Sequence, residues 1–288
     1  MRQRGLARDN IDMNPQLHAL TAEVLARIAG NRLPTGRPQL VGCLDGLSLL
    51  RSEDGLREVP VAQLPTDLDL APLIDHTLLK AAACAAEVDV LCDEALTHEF
   101  ASVCVNPYWV PHCTRRLEGS VVRVCTVVGF PLGANTTRTK AEEAREAIAN
   151  GAREVDMVLT VGLAKAGQWD LVRRDFKTVR EAVPGAILKV ILETCLLTDE
   201  EKIQACRIAA EEGLDFVKTS TGFSTGGATE ADIRLMRATV GPRCGVKASG
   251  GVRTYADALQ MALAGATRLG LSSSLAVVQG GAAVGGGY

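Results

Sequence analysis

The chain has 288 residues, 47% of them hydrophobic, with 31 basic and 34 acidic side chains and a net charge of −3. That much apolar material excludes wholesale disorder and is enough for one large α/β domain or two ordinary ones. Lys and Arg are scattered without a basic run and no stretch approaches a membrane span, so neither nucleic acid nor membrane is an expected partner.

The N-terminal "MRQRGLARDNIDM" has basic residues but no apolar run after them, which argues against a secretory leader, and Met13 also reads as a possible start. The nine cysteines form no CxxC pair, as expected of reduced thiols in the cytoplasm. Four dispersed histidines show no HxH or HExxH spacing, so no metal or other cofactor is expected.

The first 66 residues differ from the rest. "NPQLHALTAEVLARIAG" places Leu17, Leu20, Val24, Leu25 and Ile28 on one face of a helix, with Asn14 as cap, Pro15 in the first turn and Gly30 as the stop. The stretch that follows is broken by Gly, Pro and charges and reads as an irregular connection. The expected organisation is an N-terminal extension over 1–66, a barrel over 67–280 and a flexible tail over 281–288.

From about Leu73, eight short runs rich in Val and Ile alternate with stretches of helical period. They are "PLIDHT" (72–77), "ASVCVN" (101–106), "VVRVCTVV" (121–128), "REVDMVLT" (153–160), "ILKVILET" (187–194), "DFVKTST" (215–221), "GVKASG" (245–250) and "TRLGLSS" (267–273). Near-continuous apolar runs separated by amphipathic helices indicate parallel strands covered on the outside. Eight such units predict an α/β fold of the closed (β/α)8, or TIM-barrel, type, and no GxGxxG follows the first run to favour an open dinucleotide-binding sheet.

In such a barrel the chemistry sits at the C-terminal ends of the strands, so charges inside the runs are the residues to question. Asp156 lies in the fourth run, and Lys189, Lys218 and Lys247 lie in the fifth, sixth and seventh. One such lysine alone reads as a stem reaching the rim or as a structural ion pair. Three on successive strands beside one carboxylate are costly to bury and point to function. A lysine normally titrates near about 10.4, but a second ammonium nearby together with desolvation favours the neutral amine. A neutral amine attacks a carbonyl, and the iminium formed on loss of water permits C–C cleavage without a metal. Asp156 then serves as proton shuttle, as counterion to the lysines, or as both. The composition of the strands therefore suggests a lysine-dependent aldolase, in which residue types alone do not rank the three lysines.

The last two turns supply an anion site. Gly250 and Gly251 follow the seventh strand, Gly270, Ser272 and Ser273 follow or end the eighth, and Thr221 with Gly222 lies next door. Bare glycine N–H groups and serine hydroxyls before helix N-termini suit a phosphate, although each turn alone is a weak signal.

The series "LIDHTLLK", "SVCVNP", "VCTVVGFPLG", "GAREVDMVL", "LKVILET", "FVKTSTGF", "KASGGVRT" and "GLSSS" resembles the 2-deoxyribose-5-phosphate aldolase family over roughly residues 73–280. The resemblance implies reversible cleavage of 2-deoxy-D-ribose 5-phosphate to acetaldehyde and D-glyceraldehyde 3-phosphate in deoxynucleoside breakdown, by a class I mechanism with no cofactor. By the family pattern Lys218 is the Schiff-base lysine, Lys247 its pKa-lowering neighbour and Asp156 the proton relay. Lys189 is a supporting cation, Asp75, Cys104 and Thr221 belong to the pocket, and Gly222, Gly250, Gly251, Ser272 and Ser273 hold the phosphate.

The chain departs from the pattern at Phe223, where some members have a lysine, and at Leu271, where a small polar residue is common. Family members commonly end in a mobile tail with a tyrosine, so Tyr288 is an expected acid/base group that folds over the barrel mouth. The amphipathic N-terminal helix offers a contact surface for a homodimer or homotetramer. The competing expectations are another aldolase or isomerase on the same scaffold, and a barrel that binds sugar phosphates without catalysis.

Overall fold

The structure is a computed structural model that describes residues 14–28 and 36–279. It begins with helix α1 (Pro15–Ile28), where the Asn14 side chain accepts hydrogen bonds from the backbone N–H groups of Gln16 and Leu17 at 3.0 and 3.2 Å. Those bonds satisfy donors that the first helical turn cannot pair internally. Leu17, Leu20, Thr21 and Val24 form the buried face of α1.

The expected irregular connection is instead a three-stranded antiparallel sheet, β1 (Gln39–Leu44), β2 (Leu47–Ser52) and β3 (Gly55–Pro60), in the order β1-β2-β3. Two Asp-Gly pairs carry the turns. Asp45 and Gly46 both take positive φ, at 50° and 80°, as a two-residue hairpin of right-handed twist requires, and Gly55 follows Asp54 with φ of 110°. A side chain at Gly42 would meet Thr21 Cγ2 at 2.8 Å and Thr267 Cγ2 at 3.7 Å, so β1 packs closely against α1 and the start of the last barrel strand, and nearly all of its residues are buried. Burial on both faces erases the period-two alternation that would have marked the strand.

The barrel strands are β4 (Ile74–Leu78), β5 (Ser102–Val105), β6 (Arg123–Val128), β7 (Glu154–Val158), β8 (Ile187–Ile191), β9 (Phe216–Lys218), β10 (Gly245–Ser249) and β11 (Arg268–Leu271). They close in the order β10-β11-β4-β5-β6-β7-β8-β9, all parallel, which is the (β/α)8 barrel. Each predicted run holds one strand. The connecting helices include α2 (Thr137–Ala149), α3 (Asp199–Glu211), α4 (Glu230–Val240) and α5 (Tyr255–Leu263), whose cap threonines Thr136, Thr198, Thr229 and Thr254 each accept the N–H three residues on. A short helix, Ser274–Gln279, follows β11.

The apolar packing is divided unequally by the barrel wall. Val103, Val155, Met157, Leu188, Val190, Val217, Val246 and Leu269 belong to one large cluster that joins the strands to the helices and to α1. A second cluster holds only Leu79, Cys104, Cys125 and Val127, with Phe130 against it. The large cluster joins α1 and the sheet to the same core as the barrel. Leu17→Ala should accordingly cost about 2–5 kcal/mol of global stability, read from urea unfolding followed at the two tryptophans; a change under about 0.5 kcal/mol would mean that α1 is not part of the core.

Candidate active site

Residues two apart on a strand share a face, so Glu154 and Asp156 of β7 point into the same space as Asp75 of β4, Lys189 of β8, Lys218 of β9, Lys247 of β10 and Arg268 of β11. All seven side chains are buried, Lys218 being the most accessible at 3%. Asp156 is the centre of the group. Its Oδ2 accepts from Lys218 Nζ and from Lys247 Nζ, each at 2.8 Å, while its Oδ1 accepts from Lys189 Nζ at 2.9 Å. Two ammonium nitrogens at 2.8 Å from one oxygen stand within twice that distance of each other.

The remaining contacts lead toward the N-terminal end of the barrel. Lys247 Nζ lies 2.5 Å from Asp75 Oδ2, and Asp75 Oδ1 accepts from Arg268 Nη1 at 2.6 Å. Lys189 Nζ donates to Glu154 Oε2 at 2.5 Å, and Arg268 Nη1 also lies 3.1 Å from Glu154 Oε2. A side chain at Gly270 would come 2.3 Å from Ser249 Oγ and 3.0 Å from Lys247 Cε, so glycine there is what allows the Lys247 stem its path.

Burial alone would raise Asp156, but Lys189, Lys218 and Lys247 outweigh it and hold the carboxyl well below the usual range. For Asp75, burial is likewise overcome by Arg268, Lys247 and Lys189. Glu154 is brought down to about 2 against the same burial, chiefly by Arg268 and Lys189. On the other side, burial would lower Lys247, yet Asp156 and Asp75 hold it well above the usual lysine range. Lys247 is thus a fixed cation beside Lys218.

Cys104 is fully buried among Leu79, Cys125 and Val127. Sulfur and carboxylate atoms of Cys104, Cys125 and Asp156 come within metal-ligand reach of one another, as do those of Asp75, Cys125 and Glu154. The ammonium of Lys189 fills the space between them, 2.5 Å from Glu154, 2.9 Å from Asp156 and 3.4 Å from Cys125 Sγ.

At the C-terminal ends of β9, β10 and β11 a cavity of about 230 Å³ is lined by Gly222, Ser224, Thr225, Gly226, Gly227, Gly250, Gly251, Val252, Arg253 and Ser272. Gly222, Gly250 and Gly251 take φ of 86°, 79° and 80°, which glycine adopts without strain. Four of the expected phosphate residues meet here. Ser273, the fifth, is not among the lining residues, and its carbonyl accepts from Val277 N at the start of the last helix. Thr221 is buried with its hydroxyl committed to Glu193, whose backbone is left-handed at φ 57°. Leu271 packs in the outer apolar cluster, facing away from the cavity, and Phe223 meets Phe130 edge to face at 5.2 Å. Tyr288 lies outside the described residues.

A larger cavity, about 800 Å³, is at the other end of the barrel and includes Arg123, Val124 and Ile187 at the starts of their strands. Size does not locate the chemistry here. The smaller cavity lies past the C-terminal ends of β9 and β10, the strands that carry Lys218 and Lys247. Glu154, Arg268, Glu193 and Arg253 were missed from sequence, although Glu154 stands two residues before Asp156 and Arg268 two before Gly270, on the inward face in each case.

Comparison with known proteins agrees with this geometry. The sequence model described as DeoC/LacD family aldolase matches residues 70–280. A deoxyribose-phosphate aldolase from Brevibacillus brevis is 58% identical over 221 residues, 77% of this chain and the whole of the relative. Another, from Lysinibacillus sphaericus, is 59% identical over 74% of this chain and 96% of its own length. Among solved structures, a Coccidioides immitis protein provisionally named a deoxyribose-phosphate aldolase superposes with a TM-score of 0.74 at 35% identity, covering 93% of this chain and 97% of its own. A tetrameric deoxyribose phosphate aldolase from Aeropyrum pernix gives a TM-score of 0.67 at 33% identity, over 73% of this chain and 89% of that one.

The network has a definite acid dependence. Glu154 is held near about 2 against an ordinary 4.5, so its stabilisation is complete above pH 4.5 and is lost as pH falls toward about 2. Glu154→Gln should lower stability at neutral pH by about 3–5 kcal/mol, because Lys189 and Arg268 lose a buried counter-charge. Its melting temperature should also fall less steeply than the parent's between pH 4.5 and 2; parallel curves would place the acid sensitivity elsewhere.

Proposed function

The chain belongs to the DeoC/LacD family of aldolases, and from that premise we propose that it cleaves 2-deoxy-D-ribose 5-phosphate reversibly through a Schiff base on Lys218. The enzyme class is that of a deoxyribose-phosphate aldolase, a carbon–carbon lyase. The observation that carries the mechanism is the sharing of Asp156 Oδ2 by Lys218 and Lys247, with Lys218 the most exposed of the three lysines.

In this reading the Lys218 amine, having passed its proton to Asp156 or solvent, attacks the C1 aldehyde of the open-chain sugar. Loss of the C1 oxygen as water leaves an iminium between Lys218 Nζ and C1. A base, Asp156 or a water it holds, takes the proton from the C3 hydroxyl. The C2–C3 bond then breaks, its electron pair enters the C1–C2 bond and neutralises the iminium nitrogen, and D-glyceraldehyde 3-phosphate leaves. Protonation at C2 and addition of water release acetaldehyde and restore Lys218. Lys247 stays cationic throughout, held by Asp156 and Asp75.

The phosphate fits the cavity beyond β9–β11. Gly250 and Gly251 offer backbone donors, Ser272 and Ser224 hydroxyls, and Arg253 a guanidinium on the cavity wall. A role in deoxynucleoside breakdown follows from that substrate. Free thiols at all nine cysteines fit a cytoplasmic setting, and no helix among the described residues is long and apolar enough to cross a membrane. The tetrameric Aeropyrum pernix relative supports a homo-oligomer.

Borohydride reduction with acetaldehyde should leave a stable adduct mapped by peptide mass to Lys218 and should fail in Lys218→Ala; an adduct at Lys189 or Lys247 would reassign the nucleophile. Gly250→Val should raise KM for the phosphorylated sugar at least about tenfold, since φ of 79° strains any β-branched residue. The same substitution should leave acetaldehyde trapping intact, and equal losses in both assays would detach the cavity from phosphate binding.

A further inference from the structure

Helix α1 precedes the segment matched by the family model, yet it reaches the ion network. Glu23 Oε1 accepts from Arg123 Nη1 at 2.7 Å and from Arg268 Nη2 at 3.2 Å, at the first residues of β6 and β11. Ala19, Leu20 and Glu23 also line a small cavity with Ile187, Phe216 and Gly245, which open β8, β9 and β10. The helix therefore lies across the N-terminal end of the barrel, opposite the phosphate cavity. From Glu23 the contacts run without a gap: Arg268 to Asp75 at 2.6 Å, Asp75 to Lys247 at 2.5 Å, Lys247 to Asp156 at 2.8 Å and Asp156 to Lys218 at 2.8 Å.

The charges inside the barrel do not balance on their own. Lys189, Lys218, Lys247 and Arg268 face Asp75, Glu154 and Asp156, and Arg123 touches Glu154 from the rim. Among the described residues, Glu23 is a further carboxylate that the network contacts. We propose that Glu23 is a positioning residue for catalysis, and that by offsetting positive charge around Arg268 it sets how readily Lys218 gives up its proton.

The direction of the effect follows from the partners of each cation. Removal of Glu23 leaves the buried cluster more positive, and the excess is relieved at the group that can most easily become neutral. Arg268 does not deprotonate. Lys189 has Glu154, Asp156 and Asp75 within 4.0 Å, and Lys247 has two carboxylates. Among the described residues Lys218 has only Asp156 within ion-pair distance, and it is the most exposed of the three lysines. Among the described residues, the charged and titratable groups around it are Asp156 of β7, Lys247 of β10 and Lys189 of β8, with Cys104 of β5, Cys125 of β6, Asp75 of β4 and Arg268 of β11 behind them. Lys218 is therefore where the loss of Glu23 is felt.

This inference rests on Lys218 being the attacking amine, and its test separates the two claims. The rate of borohydride trapping with acetaldehyde is measured against pH in the full-length parent and in Glu23→Gln, Glu23→Asp and Arg123→Gln. Glu23→Gln should move the midpoint to lower pH by roughly half a unit to one unit. Glu23→Asp, which keeps the charge, should trap with the parental midpoint, and Arg123→Gln, which removes a competing cation, should move it the other way. Superimposed profiles for the parent and Glu23→Gln, or shifts of the same sign for Glu23→Gln and Arg123→Gln, would overturn the role of Glu23. Absence of a Lys218 adduct in the parent at every pH would instead overturn the Schiff-base reading on which it stands. Should Glu23→Gln fail to fold, the sign of the Arg123→Gln shift decides alone.

Discussion

Three ammonium groups share the Asp156 carboxylate, and the rest of the structure is arranged so that they can. Removing an ammonium from water costs several kcal/mol, and a buried pair recovers that only with good geometry and no unmatched partner. The closed parallel sheet provides the geometry. Its registers set Lys247 beside Lys218 and Asp156 beside Lys189, so the charges sit at fixed heights on neighbouring strands. A loop would let the same side chains separate and hydrate.

The division of the apolar residues is the other half of this constraint. Barrel interiors of this class are usually filled by branched side chains, but here the outer face of the strands carries nearly all of that packing. Stability thus comes from the layer between strands and helices, where Val and Ile suit both, and the interior is left to polar chemistry. The two ends then diverge. Toward the C-terminal ends of β9–β11, glycines with positive φ open backbone donors to a small cavity. Toward the N-terminal ends, α1 and β1 cover the strands.

The alternation of apolar runs and helical stretches made the barrel legible, because eight repeats leave little else to build. Asp156, Lys189, Lys218 and Lys247 stood out for the same reason: charges inside apolar runs contradict their surroundings. Glu154 and Arg268 are as deeply buried, but each lies at the start of its strand, where a sequence reader expects a charge to be leaving the core. Position two before a known inward residue was the signal available for both. The β1–β3 sheet was lost because "QLVGCL" is covered on both sides and "SEDGLREVP" looks like loop. Their turns, Asp45-Gly46 and Asp54-Gly55, carried the information. Thr221 and Ser273 show a different limit: residue type and neighbourhood were right for a pocket, but the Thr221 hydroxyl is taken by Glu193, a partner 28 residues away. Leu271 departs from the family pattern with no place in the cavity, since its side chain faces the helices.

The two oxygens of Asp156 do different work. Oδ1 is held by Lys189, which is itself fixed by Glu154 and has no surface exposure, so that contact is structural and does not turn over. Lys189 in effect occupies a cation site with a cation that is covalently attached and cannot dissociate. Oδ2 is left to Lys218 and Lys247, and because Lys247 is bound a second time by Asp75, only Lys218 can let go of Asp156 without stranding a buried charge. On the proposed Schiff-base route Lys218 becomes an imine nitrogen, and Asp156 would then keep Lys189 and Lys247 as ammonium partners and remain an anion. The two oxygens of this carboxylate are not equivalent, and the inequality, on which the proposed proton-relay role rests, is set by what stands behind each lysine.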